Sequence, residues 1–303
     1  MPGAERGRIL SRAADLIEQH APELSALETA EMGKLYADTV AGDIPAAAAS
    51  FRHYAGWADK IAGEAMLLPD VGPQHRFGYT LRQPLGVVGA ITPWNNPTVV
   101  MGNFYHQGQV CAAGTRVIVH ESIADQVVEG LVEFARGAVV GDPFDAATTQ
   151  GTIVNRKQLD RILGYIDKGR AEGAELLTGG VRVGDRGFFV EPTVFRGNND
   201  LTIAREEIFG PVATVITFKT TEEAVRLANT TKYGLNAFIF SQNLSTVHSV
   251  IPQLRVGTVW VNGWGVPDPS LPWGGREASG IGRELGRSGL EAFTEEKTVH
   301  LGY

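Results

Sequence analysis

The chain has 303 residues, 43% of them hydrophobic and 20% charged, a composition inside the ordinary globular range. Its 27 Lys and Arg stand against 34 Asp and Glu, a formal net charge of −7 without a basic cluster, which argues against a nucleic-acid partner. No apolar run approaches the roughly 18 residues that span a bilayer and Met1 to Leu10 is charged, so a cytoplasmic protein with no membrane partner is expected.

From Glu5 to Lys60 the spacing predicts helices. Ile9, Leu10, Ala13, Leu16 and Ile17 recur at three- and four-residue intervals, and Leu24, Leu27 and Met32 continue an apolar face after Pro22. A third, Ala-rich helix over Ala46 to Ile61 follows Asp43, a predicted cap, with Pro45 tolerated in the first turn. Leu67 to Asp70 and Phe77 to Gln83 read as strands around Val71-Gly72-Pro73, and Gly86 to Thr92 as a buried strand ended by Pro93. Beyond it, Thr115 to Val119 is strand-like, Ile123 to Arg136 and Arg156 to Glu172 read as helices, and Glu175 to Thr178, Phe188 to Phe195 and Val212 to Phe218 as strands. A helix over Glu222 to Thr230, a strand over Asn236 to Ser241, a helix over Thr246 to Leu254 and a strand over Val256 to Asn262 follow. This alternation predicts an α/β fold with a mostly parallel, helix-covered sheet. A glycine-rich loop from Trp264 to Gly289, a short helix and a final strand over Lys297 to Leu301 close the chain.

The only cysteine, Cys111, cannot form an internal disulfide, which suits a reducing compartment. It has two readings, a buried structural thiol or a nucleophile, and Gly108 and Gly114 favour the second by letting backbone amides approach a bound carbonyl. Asn95, in Pro93-Trp94-Asn95-Asn96-Pro97, is either a turn former or an oxyanion donor that works with the Cys111 amide. Glu206-Glu207-Ile208-Phe209-Gly210-Pro211 is either a surface turn or a contact for a cofactor ribose and ring. His106 is a base beside the thiol or incidental to it, and the other histidines show no metal-ligand spacing. Ser279 to Gly286 imitates a phosphate-binding glycine fingerprint, but its third glycine comes one residue late and no buried strand precedes it.

Four segments in order, Pro84 to Asn95, Gly108-Gln-Val-Cys111, Glu207-Ile-Phe-Gly-Pro211 and Leu271 to Gly286, together resemble the NAD(P)-dependent aldehyde dehydrogenase superfamily. The resemblance implies that the Cys111 thiolate adds to an aldehyde, that hydride passes to the nicotinamide and that water releases the acid. It casts Asn95 as oxyanion donor and places Glu207, Phe209 and Trp94 at the nicotinamide end of NAD or NADP. It also divides the chain into a first part, 1–111, with helices, a hairpin and a remnant of the cofactor domain, a catalytic α/β part, 112–288, and a C-terminal helix and oligomerisation strand, 289–303.

Family members carry the dinucleotide-binding βαβ core between the Pro-Trp-Asn turn and the cysteine. Here six residues, Thr98 to Asn103, separate Pro97 from Phe104, and a parallel crossover needs about 10–12. The resemblance therefore implies an internally truncated member that lacks the adenosine and pyrophosphate partners and the general-base glutamate, with weak or absent cofactor binding and impaired turnover. The expected partners are an aldehyde and a second copy, or a full-length relative. The alternatives are a non-catalytic remnant that assembles with such a relative, and a cofactor-independent thiol esterase.

Overall fold

A computed structural model describes residues 1–86, 104–263 and 267–302. The chain opens with helices α1 (Gly3–Gln19) and α2 (Ala21–Met32), a short helical turn α3 (Tyr36–Asp38), a π turn (Thr39–Asp43) and α4 (Ile44–Trp57). Pro22 enters at the start of α2, where its missing N–H costs nothing, and Gly33 ends that helix in the left-handed region at φ 76°. The predicted cap at Asp43 is not one. Its backbone is helical and its side chain makes no cap hydrogen bond, because the carboxylate pairs with Lys34 in the interior instead.

The helical layer packs α1 on α4 through small residues, with Ala14 and Ala48 fully buried. Ile9 and Leu16, members of the predicted apolar face, are exposed, as is Leu27 of α2. The layer is nevertheless tied to later parts of the chain. The Tyr36 amide donates to the Pro143 carbonyl at 3.1 Å, and the Tyr54 hydroxyl donates to the Gly286 carbonyl at 3.3 Å.

Strands β1 (Ala65–Val71) and β2 (Gln74–Pro84) form an antiparallel hairpin. The last strand, β11 (Thr294–Gly302), longer than its sequence predicts, pairs antiparallel with β2 from Thr294 opposite Pro84 to Gly302 opposite Arg76. The two ends of the chain thus share one three-stranded sheet in the order β1-β2-β11.

Between them lies the α/β region. Strands β3 (Arg116–His120), β8 (Val212–Phe218) and β7 (Thr193–Gly197) are parallel, and β4 (Glu175–Thr178) joins β7 antiparallel. The predicted strand over Phe188 to Phe195 is broken in two: β6 (Phe189–Val190) leaves the sheet to pair with β5 (Arg182–Val183), and only β7 joins the sheet. Strands β9 (Asn236–Ile239) and β10 (Thr258–Val261) pair in parallel as a separate ribbon.

Helices α5 (Ala124–Arg136), α6 (Arg156–Ala171), α7 (Thr202–Arg205), α8 (Thr221–Asn229), α9 (Leu244–Val250) and α10 (Gly286–Glu291) complete this region. Asn155, Thr220 and Asn243 cap α6, α8 and α9 by accepting from Gln158, Glu223 and Thr246 amides at 2.9, 3.2 and 3.1 Å. The main core joins α6 to the sheet through Leu159, Ile162, Ile166, Phe195, Val212 and Ile216. Each such side chain contributes about 1.5–3 kcal/mol by leaving water. Among the described residues no helix is long and apolar enough to cross a membrane.

Candidate active site

The segment ahead of β3 is built around an unusual backbone. His106 (φ 45°, ψ 42°), Gln107 (φ 56°, ψ 30°) and Gly108 (φ 66°) form a short left-handed turn, and the two non-glycine residues bear a cost of about 1–2 kcal/mol each. That cost is sustained because the turn is fully enclosed. His106, Gln107, Gly108 and Gln109 are all buried.

Side chains on the turn tie it to the loop ahead of α6. The Gln109 Oε1 accepts from the Val154 amide at 3.0 Å. The Gln107 amide, oriented to satisfy both its ends, accepts from the Gly151 amide at 2.6 Å and donates to the His106 Nδ1 at 3.0 Å.

Cys111 emerges from this turn exposed, between Val110 and Ala112, which are buried against Trp273. The small residues after it let the Ala112 carbonyl accept from the Asn236 side chain at 3.4 Å. On the opposite wall, Gln158 of α6 donates to the Ile208 and Phe209 carbonyls at 3.0 and 2.8 Å, and Arg161 donates to the Glu207 carbonyl at 2.6 Å. Phe209 itself sits at φ 61°, so this loop is also held in a conformation that few side chains accept.

The two segments meet where Gly108 lies on Gly210. As a result Cys111, Glu207 and Phe209 line one cavity of about 850 Å³, whose walls include Arg116 to Ile118 of β3 and Asn236 to Ile239 of β9. Burial raises the Glu207 carboxyl above the usual carboxylate range, and the Arg161 charge opposes that rise.

His106 is no surface base. Burial first and the Lys34 charge second push its imidazole down to about 3, which keeps it neutral. The predicted residues Asn95 and Trp94 lie outside the described residues. Lys34 escaped the sequence reading, since a lysine between helices reads as solvated, and Gln109 and Trp273 fell inside the segments that carry the resemblance without a role, since nothing local marks a glutamine or tryptophan as a brace.

The cavity's fit to a dinucleotide is one-sided. Glu207 and Phe209 offer a carboxylate that can accept from a sugar hydroxyl and a ring that can pack on a planar group. A pyrophosphate is readily held by free amides at a helix N-terminus. Helices α8 and α9, whose Thr221 and Thr246 line the cavity, begin under their own side-chain caps. Two glycines of the Leu271 to Gly286 loop serve its own folding: a Cβ on Gly275 would lie 2.4 Å from the Ser279 carbonyl oxygen, and one on Gly286 would lie 2.9 Å from the Pro272 nitrogen.

The fold and site define an α/β protein of parallel, helix-covered strands in which one thiol, Cys111, and two carboxylates, Glu206 and Glu207, line a shared cavity. The aldehyde dehydrogenase family profile matches it in two stretches, residues 1–103 and 97–299, and the chain belongs to that family. It is 33% identical to aldehyde dehydrogenase family 2 member C4 of Arabidopsis thaliana over 417 residues, covering 99% of this chain and 83% of the relative. To the mitochondrial aldehyde dehydrogenase of Homo sapiens it is 34% identical, covering 99% of this chain and 80% of the relative. The solved NAD+ complex of a Bacillus cereus aldehyde dehydrogenase superimposes with a TM-score of 0.94 at 31% identity, over 99% of this chain and 84% of that one. Because 417 aligned positions face a chain of 303 residues, at least 114 positions of the plant relative's alignment have no residue here.

Proposed function

We propose that the chain keeps the thiol chemistry of an aldehyde dehydrogenase without its dinucleotide turnover. The Cys111 Sγ bonds to an aldehyde carbonyl carbon, and the carbonyl oxygen takes up a proton, giving a thiohemiacetal that reverts to thiol and aldehyde. The observation that carries this reading is the shared cavity in which Cys111 is exposed beside Glu207 and Phe209. With partners for the nicotinamide end alone, NAD or NADP binds weakly or not at all. The two profile stretches overlap at 97–103, between the Pro-Trp-Asn turn and Phe104, which supports a missing cofactor core at that point. A cytoplasmic location rests on the sequence alone, since relatives include mitochondrial proteins.

Aldehyde protection of the only cysteine tests the reading. A small aldehyde is expected to slow iodoacetamide alkylation of Cys111 reversibly, with no NADH formed from aldehyde and NAD+. Equal alkylation with and without aldehyde sinks the thiol chemistry; NADH production that Cys111→Ala abolishes sinks the loss of turnover.

A second reading, assembly with a full-length relative or another copy, is favoured by the sheet β1-β2-β11. Met66, Leu67, Leu81 and Leu301 on it are exposed, and strand edges add partners readily. Co-purification with such a relative supports it, and a clean monomer in its presence counts against it.

A further inference from the structure

Behind the left-handed turn lies a cluster of ionisable groups that the thiol chemistry does not use. Lys34 and Asp43 form an ion pair with both side chains fully enclosed. The Lys34 Nζ also stands over the Tyr105 ring, 5.0 Å from its centroid. His106 is the next residue, with its Nε2 buried and without a hydrogen-bond partner among the described residues. Asp38 faces the pair from the same layer, where burial raises its carboxyl. Burial, then Asp43, Asp38 and Glu28, raise the Tyr105 hydroxyl.

The backbone beside Lys34 is fitted just as closely. A Cβ on Gly33 would lie 2.3 Å from the Thr152 Cγ2, and one on Gly151 would lie 2.2 Å from the Gly33 carbonyl oxygen. The helical layer is thus wedged between the loop at 151–152 and the turn at 105–108. A buried ion pair adds little net stability, because desolvation offsets its attraction. What this one supplies is position.

The geometry points to Lys34 and Asp43 as positioning residues: their buried pair holds the left-handed turn at 106–108 from behind, and through that turn sets the place of Cys111. The consequence for Cys111 rests on its reading as the nucleophile, whereas the hold on the turn does not.

The test uses the full chain carrying Lys34→Met together with Asp43→Leu, which removes both charges and leaves neither alone. Hydrogen exchange at the Gln107 and Gln109 amides, bonded to Phe104 and His106 carbonyls at 3.1 and 3.0 Å, is expected to quicken about tenfold or more. Exchange at Ile162 and Ile166 in α6 is expected to stay at the native rate. The iodoacetamide rate at Cys111 is expected to move toward that of the guanidinium-unfolded chain, a shift that a pair acting only on overall stability would not produce. Native exchange at Gln107 and Gln109 in a folded double variant overturns the proposal. If the variant also loses protection in α6, the unmodified chain decides. There Gly33, Gln107 and Gln109 must open together with one urea dependence, and separate openings overturn the hold. Should native Cys111 alkylate no differently from the unfolded chain, the nucleophile reading fails while exchange still decides the hold.

Discussion

Gly108 and Gly210 meet backbone against backbone: a Cβ placed on Gly108 would lie 2.1 Å from the Gly210 carbonyl oxygen. This contact joins the segment that carries Cys111 to the loop that carries Glu207 and Phe209, with Gly210 102 residues beyond Gly108 along the chain. Gly108 must also adopt φ 66°, so both its missing side chain and its backbone freedom are used.

Gly108→Ala is therefore expected to cost about 1–3 kcal/mol, read as a lower urea midpoint, and to change the iodoacetamide rate at Cys111. Gly130 supplies the contrast. It lies inside α5, where no described atom outside the helix backbone comes within 4 Å of the place a Cβ would take. Gly130→Ala is expected to stabilise by about 0.5–1 kcal/mol and leave Cys111 as it was. Equal effects of the two substitutions would show that the contact does not brace the site.

Acid should loosen the turn before it unfolds the sheet. With His106 at about 3 in the folded chain against about 6.5 when unfolded, the unfolded state takes up the proton first as pH falls. Its contribution to stability is complete above pH 6.5 and is lost from there toward pH 3, at about 1.4 kcal/mol per pH unit. Asp38 and Glu207, raised by burial, bind protons more tightly when folded and so act in the opposite sense. His106→Leu isolates the histidine: urea midpoints between about pH 6.5 and 5 should fall for the native chain and flatten in the variant. Parallel slopes would remove His106 as the cause.

Strong periodicity made the α/β region legible: α5, α6 and the strands β4 and β8 fall where the spacing puts them, α6 burying Leu159, Ile162 and Ile166 along one face and β8 burying Val212 to Ile216 in the sheet. The fault at Asp43 has a physical source. Asp ahead of Pro45 carries the local signature of a cap, and only the tertiary position of Lys34 redirects it inward. Cys111 and Glu207 were legible as types in glycine-rich context. Their meeting was implied only by the family resemblance, since it depends on Gly108 and Gly210, whose contact leaves no local pattern. The left-handed turn was hidden for the same reason, as His106 and Gln107 are ordinary residues held in an unusual conformation by their surroundings.

The core and the site share a side chain. Ile162 is fully buried, and a Cβ on Gly210 would lie 2.5 Å from its Cδ1, so the loop of Glu207 and Phe209 rests on it. Ile162→Ala is expected to cost about 2–5 kcal/mol and to move the Phe209 environment. Chemical denaturation measures the first. The second is checked by exchange at the Val212 amide, which bonds the Gly210 carbonyl at 2.8 Å and should quicken beyond the change in global stability.

The exposed hairpin offers a separate test. Leu67 of β1 is 87% exposed, and Leu301 of β11 is also exposed. If this sheet seats a second copy, Leu67→Lys is expected to weaken self-association about tenfold or more in sedimentation velocity without altering the urea midpoint. A native chain that sediments as a monomer at all concentrations would end the homo-oligomer reading.

Cofactor affinity should reveal which end of the dinucleotide is held. On the proposed reading Glu207 and Phe209 hold the nicotinamide ribose and ring, and the adenylate half adds no partner while carrying its own ordering cost. Reduced nicotinamide mononucleotide and NADH are accordingly expected to bind with Kd values within about threefold of each other, and Glu207→Gln to weaken both alike. Fluorescence titration of the reduced nicotinamide measures each. NADH binding more than about tenfold tighter than the mononucleotide, a difference of about 1.4 kcal/mol, would mean that the adenylate half is held after all and that dinucleotide turnover belongs back among this chain's activities.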